Sequence, residues 1–346
     1  MGEDAPGWVK LDQEKYPRAV NRDGESFQML SAFGKESMKA DARAFRALMK
    51  HIRETDAGHQ TVITVQIENE MGLFMTDRDY CEAANKAFSE PVPHTLDIWR
   101  AAAPSVDFLA PDIYVPIDIA KYSIEQYHRP GNPVFIPEFR HGDAGANFAF
   151  WAYGNHDAIA FAPFGIDDWE PEDDEITKVY SVIGQLSDLI LQRQGKKSMT
   201  GIYLDTVSPV QKFELGGFRI EASLGGGYYA AFPDPAARSH RQTYAGGIIF
   251  STGPDEFIVA GKNFRLTFVP VRPDPKRKFI DVEFMDEGAF VNGNWVSTRR
   301  LNGDEGTGGG DYGFGTGRPL TSGRLNFMPQ PGDEYSIIRF RMYRYR

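Results

Sequence analysis

The stretch TVITVQIENEMG, residues 61–72, decides which fold the sequence predicts. It opens on a short apolar run rich in β-branched residues, namely Val62, Ile63, Val65 and Ile67. Such a run is typical of a buried strand. The stretch then turns polar at Asn69 and Glu70, and a carboxylate at the end of a buried strand is costly unless it has a partner or a chemical purpose. The pattern therefore predicts a strand that delivers a functional glutamate at its carboxyl end.

A second stretch, NPVFIPEFR at residues 132–140, has the same form. Its apolar part ends at Ile136, and Glu138 follows where the strand should stop. In a barrel of parallel strands, functional side chains from several strand ends meet at one rim. Two such carboxylates suit a retaining glycosidase, in which one acid protonates the leaving oxygen, the other attacks the anomeric carbon, and the two lie about 5–5.5 Å apart. The alternative is that Glu70 and Glu138 are rim residues in surface ion pairs.

Composition limits the class of protein and its partners. The chain has 346 residues, 41% hydrophobic and 13% aromatic, which is enough for a sizeable core and about two domains. Its net charge of -10 argues against a nucleic-acid partner, because phosphate binding needs a basic surface.

Few residues suit metal or redox chemistry. Cys81 is the single cysteine, so no intrachain disulfide is possible, and the seven His are scattered without metal-ligand spacing. We therefore expect no metal and no cofactor. No apolar run approaches the roughly 20 residues of a membrane helix, and no secretory signal follows Met1. We expect no membrane partner and, for the chain as it stands, a cytoplasmic location.

The first part of the chain alternates strands and helices, as an α/β barrel does. Apolar spacing predicts helices over residues 38–55, with one buried face, and 175–194, with Gly195 closing the second. We therefore predict a partial (β/α) TIM-type barrel, the catalytic domain, over residues 1–197. The other elements predicted in this part are strands at 106–115, 133–136 and 158–165 and short helices at 93–103 and 123–128.

The second part, residues 198–346, changes character. Short apolar runs separated by turns and glycines predict an antiparallel β-sandwich domain. Residues 260–263, AGKN, are predicted to form a hairpin turn, and the glycine-dense residues 303–317 a loop. The fold class expected for the whole chain is therefore α/β plus all-β. The predicted strands of this part are 202–204, 218–222, 247–251, 257–259, 264–269, 279–284 and 335–344.

The motif QIENE at residues 66–70 resembles glycoside hydrolase family 35, a family of retaining β-galactosidases with a (β/α)8 barrel. The resemblance implies that Glu70 is the acid/base and that Glu138 is the nucleophile. It also implies that Asn69 hydrogen-bonds the sugar 2-hydroxyl and that Tyr114 lies near the nucleophile. These roles come from the resemblance and add to the two strand-end carboxylates.

The resemblance extends over nearly the whole chain. Residues 8–10 and 165–167 are similar to the family's barrel, and residues 253–257 and 300–305 are similar to the sandwich of a bacterial subgroup. Three early strands and the fifth strand of the family's barrel have no counterpart here, which leaves four strands. Four parallel strands cannot close a barrel and would leave unpaired edges, so we expect a second copy of the chain to complete it in a homo-oligomer. The alternatives are that the sandwich domain folds over the opening or that residues 1–37 cap it.

Aromatic side chains are predicted to line the sugar site, because sugar rings present apolar C–H faces. The candidates are Trp8, Trp151, Trp169 and His156, with core packing or loop pinning as the alternative for each. The expected function is a retaining glycoside hydrolase that cleaves a terminal β-glycoside, with a β-galactoside favoured. The alternative, from another class, is a non-catalytic carbohydrate-binding or scaffold protein derived from a glycosidase.

Overall fold

The chain splits into two compact units, Met1–Ser105 and Val106–Arg346. The structure is a computed structural model, and it describes residues 5–67, 73, 76, 78–87, 100–101, 103–168, 170–171, 174–224, 243–272, 274–277, 279–301 and 335–346. The predicted loop 303–317 and most of the predicted helix 93–103 lie outside these residues.

The first unit contains a β-hairpin and three helices among its described residues. The hairpin strands pair antiparallel, and a long helix follows them. The elements are α1 (Gly7–Lys10), β1 (Arg18–Val20), β2 (Ser26–Leu30), α2 (Lys35–Asp56) and α3 (Glu82–Ala87).

A buried carboxylate, Asp79, ties the hairpin to the segment that enters α3. It accepts hydrogen bonds from the Val20 amide at 3.1 Å, the Ser31 hydroxyl at 2.6 Å and the Cys81 amide at 2.9 Å. Burial favours the protonated acid, but these hydrogen bonds outweigh it and lower the pKa of Asp79. The charged carboxylate therefore supplies an internal link where this unit has few buried apolar residues.

Helix α2 confirms the predicted helix over residues 38–55 but not its buried face. None of its residues is buried, and Met38 and Leu48 are 62% and 50% exposed. The apolar stripe is a property of the sequence period, whereas its burial needs a neighbouring element that packs on it. Within the part of the chain that the structure describes, no element buries this stripe.

The strand predicted at the start of residues 61–72 is wrong for residues 61–67. These residues form no regular secondary structure, and Val62 and Ile63 are 44% and 91% exposed. The Asp56 carboxylate accepts hydrogen bonds from the Thr61 and Val62 amides at 3.0 and 2.7 Å, so it holds this segment against the end of α2. An apolar run becomes a strand only where another strand pairs with it, and no described strand does so here.

Three short parallel strands begin the second unit, in the order β3-β4-β5. Two helices connect them, so strand and helix alternate over residues 106–165 as predicted, but the second of these helices, which follows the Glu138 strand, was not predicted. The first strand is shorter than predicted, and the helix after it begins earlier. The elements are β3 (Asp112–Ile113), α4 (Ile117–Tyr127), β4 (Phe135–Phe139), α5 (Asp143–His156) and β5 (Ala160–Pro163).

Helix α6 (Glu175–Arg193) follows and confirms the helix predicted over residues 175–194. Asp174 caps it by accepting a hydrogen bond from the Ile176 amide at 3.2 Å. Gly195, with φ of 70°, lies just after its end, as the sequence predicted.

The remaining strands form two antiparallel sheets. One has six strands in the order β13-β12-β14-β10-β9-β6, and the other has three in the order β11-β8-β7. Each predicted strand of this part is present, which is consistent with the predicted sandwich. The strands are β6 (Met199–Asp205), β7 (Val210–Leu215), β8 (Phe218–Leu224), β9 (Tyr244–Gly253), β10 (Glu256–Lys262), β11 (Phe264–Pro270), β12 (Phe279–Val291), β13 (Asn294–Arg300) and β14 (Ser336–Tyr345).

Within residues 198–346, two strands and one turn differ from the sequence prediction. The strands β7 and β13 were missed because their sequences, VQKFEL and NWVSTRR, carry charged and polar residues and are mostly exposed. Residues 260–263 are not a hairpin turn, because β10 belongs to the six-stranded sheet and β11 pairs with β8 in the other sheet. The connection therefore carries the chain from one sheet to the other.

The six-stranded sheet has a hydrophobic core on each face. On one face it packs against the three-stranded sheet, and on the other against α5 and α6. Successive side chains of a strand point to opposite faces of the sheet, so alternate residues of one strand pack in the two cores. In β9 and β14, for example, Ile249, Ile338 and Phe340 face the three-stranded sheet, while Ile248, Phe250 and Ile337 face the helices.

Helix α5 is buried between the parallel strands and the six-stranded sheet. The Phe148 ring stacks on Phe139 of β4 at 5.1 Å and meets Tyr203 of β6 edge-on at 5.4 Å. A Cβ atom added to Gly154 would lie within 3.0 Å of the Gly201 backbone, so these glycines let helix and strand approach closely. The second compact unit, Val106–Arg346, therefore contains residues on both sides of the domain boundary predicted at residue 197. That boundary stays a prediction.

Candidate active site

Glu138 lies near the carboxyl end of β4, at the edge where the parallel strands end. Its neighbours Ile136 and Phe139 are fully buried and fix the strand in the core, while Glu138 is only half-buried. In the register of the sheet, Glu138 pairs with Asp112 of β3. The strand-end position that the sequence predicted for Glu138 is therefore where the structure places it.

Tyr114, directly after β3, reaches the Glu138 carboxylate. Its hydroxyl donates a hydrogen bond of 2.7 Å to Oε2 of Glu138. The Tyr114 side chain is 46% exposed, so this bond is made at the surface rather than in the core. Of the predicted site residues, Tyr114 is the one that the described structure brings to Glu138.

Arg140 holds the backbone that carries Tyr114. Its guanidinium donates hydrogen bonds to the carbonyl oxygens of Tyr114, at 3.1 Å, and of Val115. Its own amide donates to the Ile113 carbonyl at 3.3 Å, which extends the pairing of β3 and β4. These contacts fix the position from which the Tyr114 side chain reaches Glu138.

The segment after Glu138 is also held at the start of α6. Nε2 of His141 lies 3.0 Å from Oδ2 of Asp174, and the Asp174 carboxylate is buried. Because Asp174 also caps α6, one carboxylate ties the loop after β4 to this helix. The loop after Glu138 is therefore fixed at the start of α6.

Phe164, directly after β5, presents an exposed ring beside Tyr114. The ring is 60% exposed, and its centroid lies 6.3 Å from that of Tyr114 at an interplanar angle of 70°. Sequence reasoning missed Phe164 as a site residue. The signal that could have found it is its position at the end of the apolar run AIAFAPFG, the same position that selected Glu138.

Trp151 and His156 lie in and beside the helical core rather than at the exposed edge. Trp151 is 7% exposed and stacks on Phe148 at 5.0 Å, so core packing, the alternative reading, describes it. His156 ends α5 near the amino ends of the parallel strands, whereas Glu138 lies near their carboxyl ends. Helix α5 runs from the end of β4 back to the start of β5, so the length of the helix separates His156 from the strand ends where Glu138 lies.

His156 contacts a second histidine. Its Nδ1 lies 3.1 Å from Nδ1 of His128, and its ring is 4.5 Å from the Trp151 ring. Burial, with a smaller effect from His128, lowers the pKa of His156 to about 4. The contact joins the ends of α4 and α5, and His156 is neutral in it at pH 7.

The positions of the other predicted sugar ligands relative to Glu138 stay predictions. Trp8 belongs to the first unit, is 55% exposed and meets Tyr16 edge-on at 5.3 Å. Asn69, Glu70 and Trp169 lie outside the described residues. Their roles, and the separation of about 5–5.5 Å between the two carboxyls, stay predictions.

A buried polar network lies behind the site, between the helices and the six-stranded sheet. Glu175 of α6 forms an ion pair with Lys262 of β10 and accepts hydrogen bonds from Asn147 at 3.1 Å and from Tyr335 at 2.7 Å. Burial, with the neighbouring Glu175 carboxylate, raises the pKa of Tyr335, so its hydroxyl stays a donor. The network links α5, α6 and β10 at one point.

The described residues contain no group of three or more His, Cys, Asp or Glu side chains placed to hold a metal ion. They also contain no helix that is long and apolar enough to cross a membrane.

Residues 176–310 match the family model of a domain of unknown function, DUF5597. The match begins in α6 and runs beyond β13, so it covers most of the antiparallel sheets and does not include Glu138 or Tyr114. No curated protein matches the chain.

Proposed function

We propose that the protein is a retaining glycoside hydrolase that cleaves a terminal β-glycoside, with a β-galactoside favoured, as its resemblance to glycoside hydrolase family 35 implies. The observation that carries this proposal is the 2.7 Å hydrogen bond from Tyr114 to Glu138 at the edge where parallel strands end. A carboxylate in this position, oriented by a phenol and open to solvent, is suited to attack a sugar carbon.

In the proposed reaction, Glu138 is the nucleophile and Glu70 the acid/base. A Glu138 oxygen attacks the anomeric carbon, and Glu70 gives its proton to the leaving oxygen as the glycosidic bond breaks. Glu70 then removes a proton from water, which attacks the same carbon and releases Glu138. The anomeric configuration is retained because the carbon is inverted twice.

Tyr114 orients the nucleophile in this reaction. Its hydroxyl fixes the rotation of the Glu138 carboxylate by binding Oε2. Arg140 fixes the Tyr114 backbone in turn, so the orientation is set before substrate arrives.

The proposal includes a partial barrel that is completed by a second copy of the chain. Among the described strands, β3 and β5 each have one parallel neighbour, β4, and such open edges invite further pairing. Light scattering at low micromolar concentration should therefore report a homo-oligomer. A stable monomer that is fully active would contradict this part of the proposal.

The test is a screen of aryl β-glycosides, with galactoside, glucoside, fucoside and arabinoside compared. Glu138→Ala should abolish turnover, whereas the matched control Glu214→Ala, an exposed glutamate on β7, should keep it. Added azide should restore turnover in Glu70→Ala and give a β-glycosyl azide. Full activity in Glu138→Ala would overturn the assignment.

One outcome of this screen would favour the non-catalytic alternative. If the wild-type protein binds these glycosides in calorimetry but hydrolyses none, it is a non-catalytic carbohydrate-binding protein. If it neither binds nor hydrolyses any of them, both carbohydrate proposals fail.

A further inference from the structure

An apolar surface borders the Glu138 carboxylate. It consists of Tyr114 and Phe164, whose side chains are 46% and 60% exposed and whose rings contact each other. Aromatic and aliphatic side chains are usually withdrawn from water, and those that stay exposed together are often covered by a ligand. This surface lies beside the one carboxylate of the described site that a phenol orients.

The Phe164 ring is held in place by its backbone. Its amide donates a 2.9 Å hydrogen bond to the Phe139 carbonyl, one residue beyond Glu138, and so continues the pairing of β4 and β5. Gly165, with φ of 68°, then turns the chain, and the Asp168 amide donates to the Gly165 carbonyl at 3.0 Å. The ring therefore projects from a fixed turn.

The geometry around the ring limits what can lie against it. Tyr114 contacts Glu138 through its hydroxyl and meets the Phe164 ring at a steep angle, so the two rings form a corner, one wall of which is hydrogen-bonded to the carboxylate. A group bound in this corner would touch both rings. A sugar ring suits the corner because it has an apolar C–H face for one wall and hydroxyls for the polar side.

We propose that Phe164 is a specificity-determining residue, whose ring packs against the apolar C–H face of the sugar that Glu138 attacks. This inference rests on the proposed function and names the surface that selects the sugar. It favours sugars whose C–H groups are gathered on one face over those in which hydroxyls interrupt that face.

The test compares KM and kcat of Phe164 variants on the aryl β-glycoside that the wild-type protein hydrolyses best. Phe164→Ala should raise KM by about tenfold or more, as expected when an apolar contact is removed from a pocket, and should change kcat less than KM. Phe164→Trp should keep KM within about threefold of wild type, because it restores an aromatic face.

A matched control separates this role from a general effect of losing an exposed apolar side chain. Ile159 is 50% exposed and lies just before β5, at the other end of the strand. Ile159→Ala should leave KM and kcat unchanged. Thermal unfolding of Phe164→Ala should match wild type, since its ring is mostly exposed.

The outcomes distinguish the two proposals. If wild type hydrolyses a glycoside and Phe164→Ala has an unchanged KM, the inference on Phe164 is overturned and the proposed function stands. If wild type binds the glycoside without hydrolysis, the same variant should weaken the calorimetric affinity about tenfold, and an unchanged affinity overturns the inference. If wild type neither binds nor hydrolyses, both proposals fall together.

Discussion

Glu138 and Tyr114 meet because two backbone segments hold them, and neither side chain needs to be buried. The strand that carries Glu138 is anchored by fully buried Ile136 and Phe139. Arg140 fixes the segment that carries Tyr114 by binding two of its carbonyl oxygens. The geometry of the candidate site therefore depends on one hydrogen bond at the protein surface, from the Tyr114 hydroxyl to the Glu138 carboxylate.

Removing the Tyr114 hydroxyl tests that bond. We expect Tyr114→Phe to lower kcat/KM by roughly 10- to 100-fold, because a hydrogen bond to a charged group contributes about 1.5–3 kcal/mol. Its free energy of unfolding should match wild type, because the side chain is 46% exposed. Steady-state kinetics of Tyr114→Phe and of Tyr122→Phe, a 62% exposed tyrosine on α4, make the comparison. Equal activity in the two variants would contradict the role of Tyr114.

His156 gives a second prediction at the residue scale, in the pH dependence of stability. Its pKa is about 4 in the folded protein against an ordinary value of 6.5. As the pH falls from 6.5 to 4, the unfolded chain binds the proton before the folded chain does, so this contribution to stability is lost over that window. The loss is at most about 1.4 kcal/mol per pH unit, and less because the ring keeps some contact with water.

Urea unfolding at pH 7 and pH 5 measures this loss. Wild type should lose more stability between the two pH values than His156→Asn does. The control His51→Asn, an exposed histidine on α2, should follow wild type. Equal losses in wild type and His156→Asn would show that His156 is not the group that titrates.

At the scale of elements, α5 and β6 are joined by glycines rather than by large side chains. A Cβ on Gly201 would lie within 3.0 Å of the Phe150 carbonyl oxygen, which belongs to helix backbone and cannot rotate away. The helix therefore packs directly on the strand, and Phe148 fills the space toward β4. This contact joins the part that carries Glu138 to the antiparallel sheets.

Adding a methyl group there should separate the two elements. We expect Gly201→Ala to destabilise the protein by about 1–3 kcal/mol or more through overpacking. The matched control is Gly184→Ala on α6, where a Cβ meets nothing within 4 Å, and there alanine should stabilise by about 0.5–1 kcal/mol. Chemical denaturation of both variants measures the difference, and similar effects in both would rule out the close approach.

At the scale of the whole second unit, one buried ion pair connects the layers. Lys262 and Glu175 are 4% and 6% exposed and come from β10 and α6. Asn147 of α5 and Tyr335 share the same carboxylate. Such a network specifies how helices and sheet are arranged, because a displaced layer would leave a buried charge unpaired.

Breaking the pair should therefore be costly. We expect Lys262→Met to lower the free energy of unfolding by about 3–5 kcal/mol, since it leaves the Glu175 charge buried without its partner. The double variant with Glu175→Gln should be destabilised by less than the sum of the two single variants. Lys212→Met, which removes an exposed pair with Glu221, should cost less than about 1 kcal/mol. A small effect of Lys262→Met, equal to that control, would show that the pair is not essential.

The sequence by itself determined most elements and the place of Glu138. Short apolar runs between turns predicted the sheets, and a period of 3.6 residues predicted two long helices, because this period shows which face of a helix is withdrawn from water. The apolar run before Glu138 predicted a strand with a carboxylate at its end, and the structure has it. Only the tertiary structure decided whether similar runs become strands, since the run at Val62 and Ile63 finds no strand to pair with and lies exposed.

The tertiary structure also decided which side chains share a site. Trp151 and Phe164 are both aromatic residues in apolar surroundings of the sequence, yet Trp151 is buried in the core on α5 and Phe164 is exposed beside Tyr114. The local sequence does not show which other elements surround a residue in the folded protein. That is set by strand order and by close contacts such as Gly154 with Gly201, which depend on residues far apart in the chain.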